Sequence, residues 1–161
     1  MARTDIFDRL KEDHDRHREL LTRLAVTSGD SEDRRALFAN FKTEVKAHAA
    51  AEEETLYATM LANPELRHDG QHSVSEHKEI EDLITKLEET DMSSPGWMTT
   101  FKKLQHDYLH HIEEEEKDMF PAAADGLSDA KVQELRKKFE ARKPEEYQRA
   151  LDGVDDGDER E

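Results

Sequence analysis

The 161-residue chain contains no cysteine, so disulfide bonds, thiolate metal ligands and thiol redox chemistry are excluded. It also lacks any apolar run long enough to cross a bilayer. Its first residues, MARTDIFDRLKEDHD, contain no hydrophobic segment of the kind found in signal peptides. We therefore expect a soluble, cytoplasmic protein that has no membrane partner.

Basic side chains are scarce relative to acidic ones. The 24 lysines and arginines are outnumbered by 40 aspartates and glutamates, which gives a formal net charge of −16. A surface of this sign repels nucleic-acid phosphates and anionic membranes, so we expect no nucleic-acid partner. Cations, small neutral molecules and basic proteins are the partners that this charge favours.

Hydrophobic residues are also few, at 34% of the chain against 40% charged residues. A core can then form only if the apolar side chains are concentrated on narrow faces. In four segments, the first at about 5–26, apolar residues and histidines recur at steps of three and four, which is typical of such a helical face. Short connections between these segments predict an all-α, up-down-up-down antiparallel four-helix bundle.

Capping and breaking residues predict where the helices begin and end. Ser73 and Glu76 have the spacing of a capping box that would open the third helix, and Pro121 would close the fourth. A shorter fifth helix is predicted from about Asp129 to Arg142. The predicted organisation is a bundle over 1–125, a C-terminal helical extension over 126–150 and a disordered acidic tail over 151–161.

The sequence repeats itself with an offset of 63 residues, and the repeat includes polar positions on the predicted inner faces. These pairs are His14 with His77, His48 with His111, and Glu52 with Glu115. Neighbouring apolar positions follow the same offset, so the pattern indicates a duplicated helical hairpin. Two such hairpins would each bring two histidines and one glutamate to a common centre.

The residue types at these positions favour a metal site. In the second and fourth predicted helices the pattern is His-x-x-x-Glu, which places both side chains on one face with Cβ atoms about 5–6 Å apart. Unpaired carboxylates are costly in an apolar interior, and two cations would satisfy them. Four imidazoles and two carboxylates suit iron, manganese or zinc better than calcium or magnesium. A buried polar network without metal is the alternative.

Other histidines have no equivalent in the repeat. His106 and His110 lie far from the inner face of the fourth helix, so a surface position is predicted for both. His17 shares the inner face of the first helix, where a hydrogen-bonded role beside the ligands and a structural role are both open. Tyr108 lies one turn before His111 and is either a hydrogen-bond donor near the metal or a packing residue. The glutamates flanking the two predicted carboxylate ligands are expected to be mostly exposed.

Four fragments, DHDRHRELL, HAAAEEETLY, EHKEIEDLI and HIEEEEKDMFP, resemble the hemerythrin-like, HHE cation-binding family over residues 5–121. The resemblance implies a non-haem di-iron centre inside the bundle, with carboxylates from the two His-x-x-x-Glu segments bridging the irons. Carried over residue by residue, the implied metal ligands are His14, His48, Glu52, His77, His111 and Glu115.

The sequence departs from the oxygen-carrying hemerythrins of invertebrates at two positions. Those proteins have a histidine four residues before the third-helix ligand, where this chain has Ser73. They have an aspartate five residues after the last ligand histidine, where this chain has Glu116. The four-histidine, two-glutamate set is more similar to a bacterial branch of the family, which implies a di-iron site without implying reversible oxygen carriage.

The leading functional hypothesis is a di-iron protein, with an oxide or hydroxide bridge, that binds and reacts with dioxygen, hydrogen peroxide or nitric oxide. Zinc and manganese are possible substitutes for iron. Peroxidase-like, catalase-like and nitric oxide-directed oxidoreductase activities are open, as are the electron donor and the oligomeric state. The alternatives are iron binding for sensing or storage without turnover, and a metal-poor helical interaction module.

Overall fold

The computed structural model describes residues 5–153, and every regular element within them is helical. The helices are α1 (Ile6–Ala25), α2 (Glu32–Glu52), α3 (Ala58–Ala62), α4 (Arg67–Glu88), α5 (Pro95–Glu114), α6 (Phe120–Gly126) and α7 (Asp129–Leu151). This confirms the predicted all-α bundle with an added C-terminal helix. Residues 154–161 of the predicted acidic tail lie outside the described residues. Among the described helices, none is both long and apolar enough to cross a membrane.

Side-chain caps fix the starts of four helices. Asp5, Ser31, Ser94 and Ser128 each accept a hydrogen bond from a backbone amide in the first turn of α1, α2, α5 and α7, respectively. Each cap residue has an extended backbone, so its side chain can reach back to amides that have no partner within the helix. Of the four bundle helices, α1, α2 and α5 therefore begin where the local sequence provides a side-chain cap, and α4 does not.

Two π-helical segments, Glu53–Tyr57 and Glu115–Met119, join α2 to α3 and α5 to α6 without a break. They begin at nearly equivalent points of the 63-residue repeat, at or directly after the two predicted glutamate ligands. π-Helical segments are rare in proteins, and those that occur often lie at functional sites. Pro121 was predicted to end the fourth helix, but it is the second residue of α6, which continues directly from the second π-helical segment.

The third bundle helix begins earlier than predicted. α4 starts at Arg67, and Ser73 lies buried inside it with its hydroxyl 2.8 Å from Met119 Sδ, so the capping-box prediction is wrong. Tertiary packing explains the difference. A Cβ at Gly70 would lie 3.3 Å from Leu61 Cδ2, so the glycine lets this first part of α4 approach α3 closely.

The C-terminal helix is longer than predicted, since α7 continues through Pro144 to Leu151 instead of ending near Arg142. Proline inside a helix removes one backbone hydrogen bond. Packing maintains the helix, because α7 lies against α1 and α2 and buries Phe139 completely. The Phe139 ring meets the His48 ring edge-on at 5.8 Å between centroids, so α7 covers one side of the bundle interior.

Two apolar clusters are separated along the bundle axis. On α1, Leu10 belongs to one cluster and Leu20 to the other. The buried histidines His14 and His17 lie between them on the same helix. The polar centre of the molecule is therefore enclosed by apolar packing at both ends.

Candidate metal centre

The six histidines and glutamates paired by the repeat converge in the interior, and the most exposed of them, His77, is only 9% accessible. Their potential ligand atoms form two groups, each with all atoms within 4.8 Å of one another. One group contains His14, His48, Glu52 and Glu115, and the other contains His77, His111 and Glu115. The structure thus brings all six predicted residues together, with Glu115 common to both groups.

Both glutamates lie between the two halves of the repeat, where α1 and α2 form the first half and α4 and α5 the second. Each carboxylate faces the Nε2 atom of one histidine from each half. Glu115 lies 3.1 Å from His14 and 3.6 Å from His111, and Glu52 lies 3.5 Å from His48 and 3.4 Å from His77. A carboxylate in this position can bridge two cations, one held by each half.

Within residues 5–153, several inward-facing atoms of the centre make no hydrogen bond, although histidine nitrogens and carboxylate oxygens face one another at 3.1–3.6 Å. They are Nε2 of His14 and of His48, both carboxylate oxygens of Glu52, and Oε1 of Glu115. Buried polar atoms without partners cost free energy, and buried carboxylates cost more. Cations bound between these atoms would satisfy all of them at once. The donor set of four imidazoles and two carboxylates fits iron, and it also fits zinc or manganese.

The opposite ring nitrogen, Nδ1, of each of these four histidines donates a hydrogen bond to a carboxylate. The pairs are His14 with Glu116 at 2.7 Å, His48 with Asp13 at 2.8 Å, His77 with Glu53 at 2.9 Å, and His111 with Glu76 at 2.8 Å. A carboxylate at Nδ1 holds the proton there, orients the ring and leaves Nε2 available to a metal ion.

These four carboxylates were not predicted, although the sequence carries a signal for them. Glu53 and Glu116 were expected on an exposed face, but their side chains are only 26% and 21% accessible and each contacts a histidine. The 63-residue offset places Asp13 on Glu76 and Glu53 on Glu116. The duplication therefore includes the acidic partners of the histidines as well as the histidines themselves.

Tyr57 breaks the symmetry of the centre. Its hydroxyl donates a hydrogen bond to Oε2 of Glu115 and lies 3.3 Å from Nε2 of His77. The repeat places Phe120 at the equivalent position, where its ring stacks on His14 at 6.0 Å between centroids. Burial, together with the negative charges of Glu115 and Glu52, raises the pKa of Tyr57 well above its usual value. In sequence Tyr57 looked like an apolar position, so its polar role was missed.

His17 and Tyr108 form a hydrogen-bonded pair beside the candidate ligands. The Tyr108 hydroxyl lies 2.7 Å from Nδ1 of His17, and the His17 ring meets the His48 ring edge-on at 5.1 Å. Burial first, and then the charge of His48, lowers the pKa of His17 well below its usual value. Both residues therefore form a hydrogen bond beside the candidate ligands, and Tyr108 also packs in the core, where its ring centroid lies 5.9 Å from that of Phe41.

His106 and His110 are surface residues, as predicted. Their side chains are 81% and 65% accessible and pair with Asp107 and Glu114, respectively. Neither belongs to the buried groups of potential ligands.

In the metal-free protein, protonated imidazoles balance the negative charge of the buried carboxylates. Burial lowers the pKa of His14, but Glu115 and Glu116 outweigh this effect and raise it to about 9. His77 behaves similarly, since Glu52 and Glu53 outweigh burial and raise its pKa to about 10. Both rings are therefore protonated in the metal-free protein at neutral pH, and metal ions must displace these protons.

This protonation predicts how the stability of the metal-free protein depends on pH. Because the folded-state pKa values of His14 and His77 lie above the ordinary 6.5, their contribution is fully present below pH 6.5 and is lost as pH rises through about 9 and about 10. We expect the melting temperature of chelator-treated protein to fall over this range, while that of metal-loaded protein falls less. Thermal unfolding followed by circular dichroism tests this. Equal slopes for the two forms would contradict it.

Comparisons with known proteins agree with this geometry. Residues 5–123 match the family model described as Hemerythrin HHE cation binding domain. The uncharacterized protein Rv2633c of Mycobacterium tuberculosis is 28% identical over 137 residues, which cover 84% of this chain and 83% of that protein. The crystal structure of its homologue from Mycobacterium kansasii, an HHE cation-binding domain-containing protein, superposes with a TM-score of 0.81 at 28% identity. That match covers 94% of this chain and 91% of the other.

A longer relative carries a different name. A protein of Nostoc sp. named DNA nickase is 27% identical over 150 residues. The match covers 90% of this chain but only 41% of the nickase. The chain thus spans about two fifths of that relative.

Proposed function

We propose, because this chain belongs to the hemerythrin HHE cation-binding family, that its buried histidines and glutamates hold two iron ions and that the site reacts with small oxidants or nitric oxide. One observation carries the proposal. Within residues 5–153, buried imidazole nitrogens and carboxylate oxygens from both halves of the repeat form two groups that share Glu115, and several of these atoms make no hydrogen bond.

The residues have separate roles in this proposal. His14 and His48 would hold one ion, His77 and His111 the other, with Glu52 and Glu115 shared between the ions. When bound, two irons supply Lewis acidity and electrons to a small molecule that enters the site. The four carboxylates that accept hydrogen bonds from histidine Nδ1 orient the rings. The apolar clusters at both ends of the centre limit the access of water. The Tyr57 hydroxyl can donate a hydrogen bond beside the shared carboxylate.

The small volume of the cavity beside the centre favours a small molecule as the reactant. A cavity of about 40 Å³ reaches His111 and Glu115, and it has room for only a few water-sized molecules. Dioxygen, hydrogen peroxide and nitric oxide are of this size, whereas an organic substrate would require rearrangement of the helices. We therefore favour a diatomic molecule or peroxide as the reactant.

We do not extend DNA cleavage to this chain, although the Nostoc relative is named a DNA nickase. Proteins bind DNA mainly through basic residues that neutralise phosphates. This chain has a net charge of −16, and it corresponds to less than half of that relative. A gel assay with supercoiled plasmid should show no nicking above that produced by free iron.

Metal content is the direct test of the proposed centre. Protein loaded anaerobically with ferrous iron and then desalted should retain two irons per chain by elemental analysis, because each half of the repeat supplies two imidazoles and both share two carboxylates. Competition with zinc and manganese would establish whether iron is preferred. Retention of one ion or none would contradict the paired site.

The carboxylates that accept hydrogen bonds from histidine Nδ1 should increase the affinity of the centre for metal. In Glu116→Gln the His14 ring loses a charged partner, and we expect iron to bind about 10–100-fold more weakly to the protein. Glu113→Gln is the matched control, because Glu113 is exposed and forms an ion pair with Lys117 rather than with a histidine of the centre. Titration against a competing chelator measures both variants. Equal affinities for the two would show that Glu116 has no orienting role.

A further inference from the structure

A second group of potential metal ligands lies at the protein surface, outside the buried centre. His72 and Glu76 are one turn apart on α4, and Glu114 is the last residue of α5. Nε2 of His72 lies 3.5 Å from Glu76 Oε2 and 3.0 Å from Glu114 Oε1. The His72 side chain is 50% accessible, so the group is open to solvent.

The spacing of these atoms suits a common cation. Imidazole nitrogens and carboxylate oxygens bind zinc-like ions at about 2.0–2.2 Å, which places neighbouring ligand atoms roughly 3.0–3.6 Å apart. A mixed set of one imidazole and two carboxylates favours ferrous iron, manganese or zinc over calcium or magnesium. Because only three protein ligands are available, water would complete the coordination and the ion would exchange readily.

A cavity connects this group to the interior. The same cavity of about 40 Å³ is lined by His72, Glu76 and Glu114 at its outer side and by His111 and Glu115 at its inner side. Glu115 is only 2% exposed, and its carboxylate faces Nε2 of His14 at 3.1 Å and Nε2 of His111 at 3.6 Å. A path lined by acidic side chains therefore runs from the exposed His72 to a carboxylate of the buried centre.

Glu76 belongs to both sites. Its Oε1 accepts the hydrogen bond from Nδ1 of His111, and its Oε2 faces His72. A cation at the surface group would thus be separated from a proposed ligand of the inner centre by a single carboxylate.

The other half of the repeat lacks such a group. The 63-residue offset places Arg9 on His72, Asp13 on Glu76 and Ala51 on Glu114. Arg9 Nη1 and Lys143 Nζ each lie 2.8 Å from Oδ1 of Asp13. Two positive charges occupy the position that corresponds to a cation site in the second half, and α7, which carries Lys143, covers this side. The two sides of the bundle therefore differ in their capacity to admit a cation.

We propose that His72, Glu76 and Glu114 form a surface site for a divalent transition-metal cation, which captures the ion before it passes through the cavity to the buried centre. The loading role rests on the proposed di-iron function, whereas the surface site itself does not. The site would give the protein one preferred loading route, on the side of α4 and α5.

Equilibrium binding and loading kinetics test the proposal together. Metal-free wild-type protein titrated anaerobically with Co²⁺ should bind two ions tightly and a third weakly, with the third lost on desalting. The double variant His72→Ala/Glu114→Gln should bind only two. Stopped-flow absorbance with Fe²⁺ should show the double variant loading about tenfold more slowly, because it lacks two of the three groups that would capture the cation, including one negative charge. His106→Ala, an exposed histidine on α5, is the matched control and should load like wild type.

The outcomes separate this proposal from the di-iron function. If the double variant binds a third ion and loads at the wild-type rate, the surface site is overturned. If wild type binds a single weak cation that is lost in His72→Ala, the surface site stands and the di-iron function fails. Glu114→Gln alone is nearly isosteric and keeps the test valid if the double variant is unstable, since it should also weaken the third ion and slow loading.

Discussion

Replacing His111 by alanine should cost the protein at least one of the two metal ions proposed for the centre, whereas replacing the adjacent His110 should leave both bound. His111 is 2% exposed, and its Nε2 faces Glu115 at 3.6 Å while its Nδ1 donates to Glu76. His110 is 65% accessible and contacts Glu114. The two histidines are neighbours in sequence but lie on different faces of α5.

The expected effect is large because a metal ligand is removed, not a group that orients one. Loss of a carboxylate partner at a histidine ligand costs about 10–100-fold in affinity, and loss of the imidazole itself should exceed that range. Elemental analysis after loading and desalting gives the ion count, and circular dichroism checks that both variants are folded. Metal loss in His110→Ala with retention in His111→Ala would mean that α5 is rotated by one residue relative to the structure.

This pair shows what sequence reasoning could decide. In HHIEEEE both His110 with Glu114 and His111 with Glu115 have the spacing of one helical turn. His111 is favoured because the inner face of the helix continues through Phe101 and Leu104 to it, and because the repeat pairs it with His48. Both patterns extend over many residues, so neither depends on the identity of a single residue.

Features set by tertiary packing were not predictable in the same way. Ser73 has the local sequence of a helix start, yet it lies inside α4 because the preceding turn packs on α3 through Gly70. α7 extends beyond Pro144 because α1 and α2 bury its inner face. Local signals compete with packing energy at such positions, and packing prevails. The π-helical segments have no recognisable local signature in this sequence.

The residues that form hydrogen bonds to the histidines and glutamates of the centre are predictable only in part. Asp13, Glu53, Glu76 and Glu116 obey the repeat, so a comparison of acidic residues at the 63-residue offset finds them. Tyr57 does not obey it, because the equivalent residue is Phe120. Only a structure could place the Tyr57 hydroxyl beside Glu115. The repeat therefore shows that the two halves differ at this position, but it does not show that the tyrosine hydroxyl contacts the centre.

The largest effect on reactivity is expected from the shared carboxylates. Reduced, iron-loaded wild-type protein should change its visible spectrum within seconds of exposure to dioxygen or nitric oxide, and the oxidised protein should consume hydrogen peroxide faster than the same amount of free iron. Glu52→Ala and Glu115→Ala should each reduce both responses to the level of free iron. Each of these carboxylates faces a histidine from both halves, so its loss disturbs two metal positions at once.

Controls distinguish loss of reactivity from loss of metal. Glu113→Ala, which alters an exposed glutamate paired with Lys117, should keep the wild-type responses. Metal content measured on each variant separates a centre that is empty from one that is loaded but inert. If loaded wild-type protein does not respond to dioxygen, peroxide or nitric oxide, the proposed reactivity is wrong, and iron binding for storage or sensing becomes the better account of the six buried histidines and glutamates. If Glu115→Ala reacts as wild type does, the carboxylate common to both groups of ligands is not shared between the ions, and the paired arrangement of the centre must be rejected.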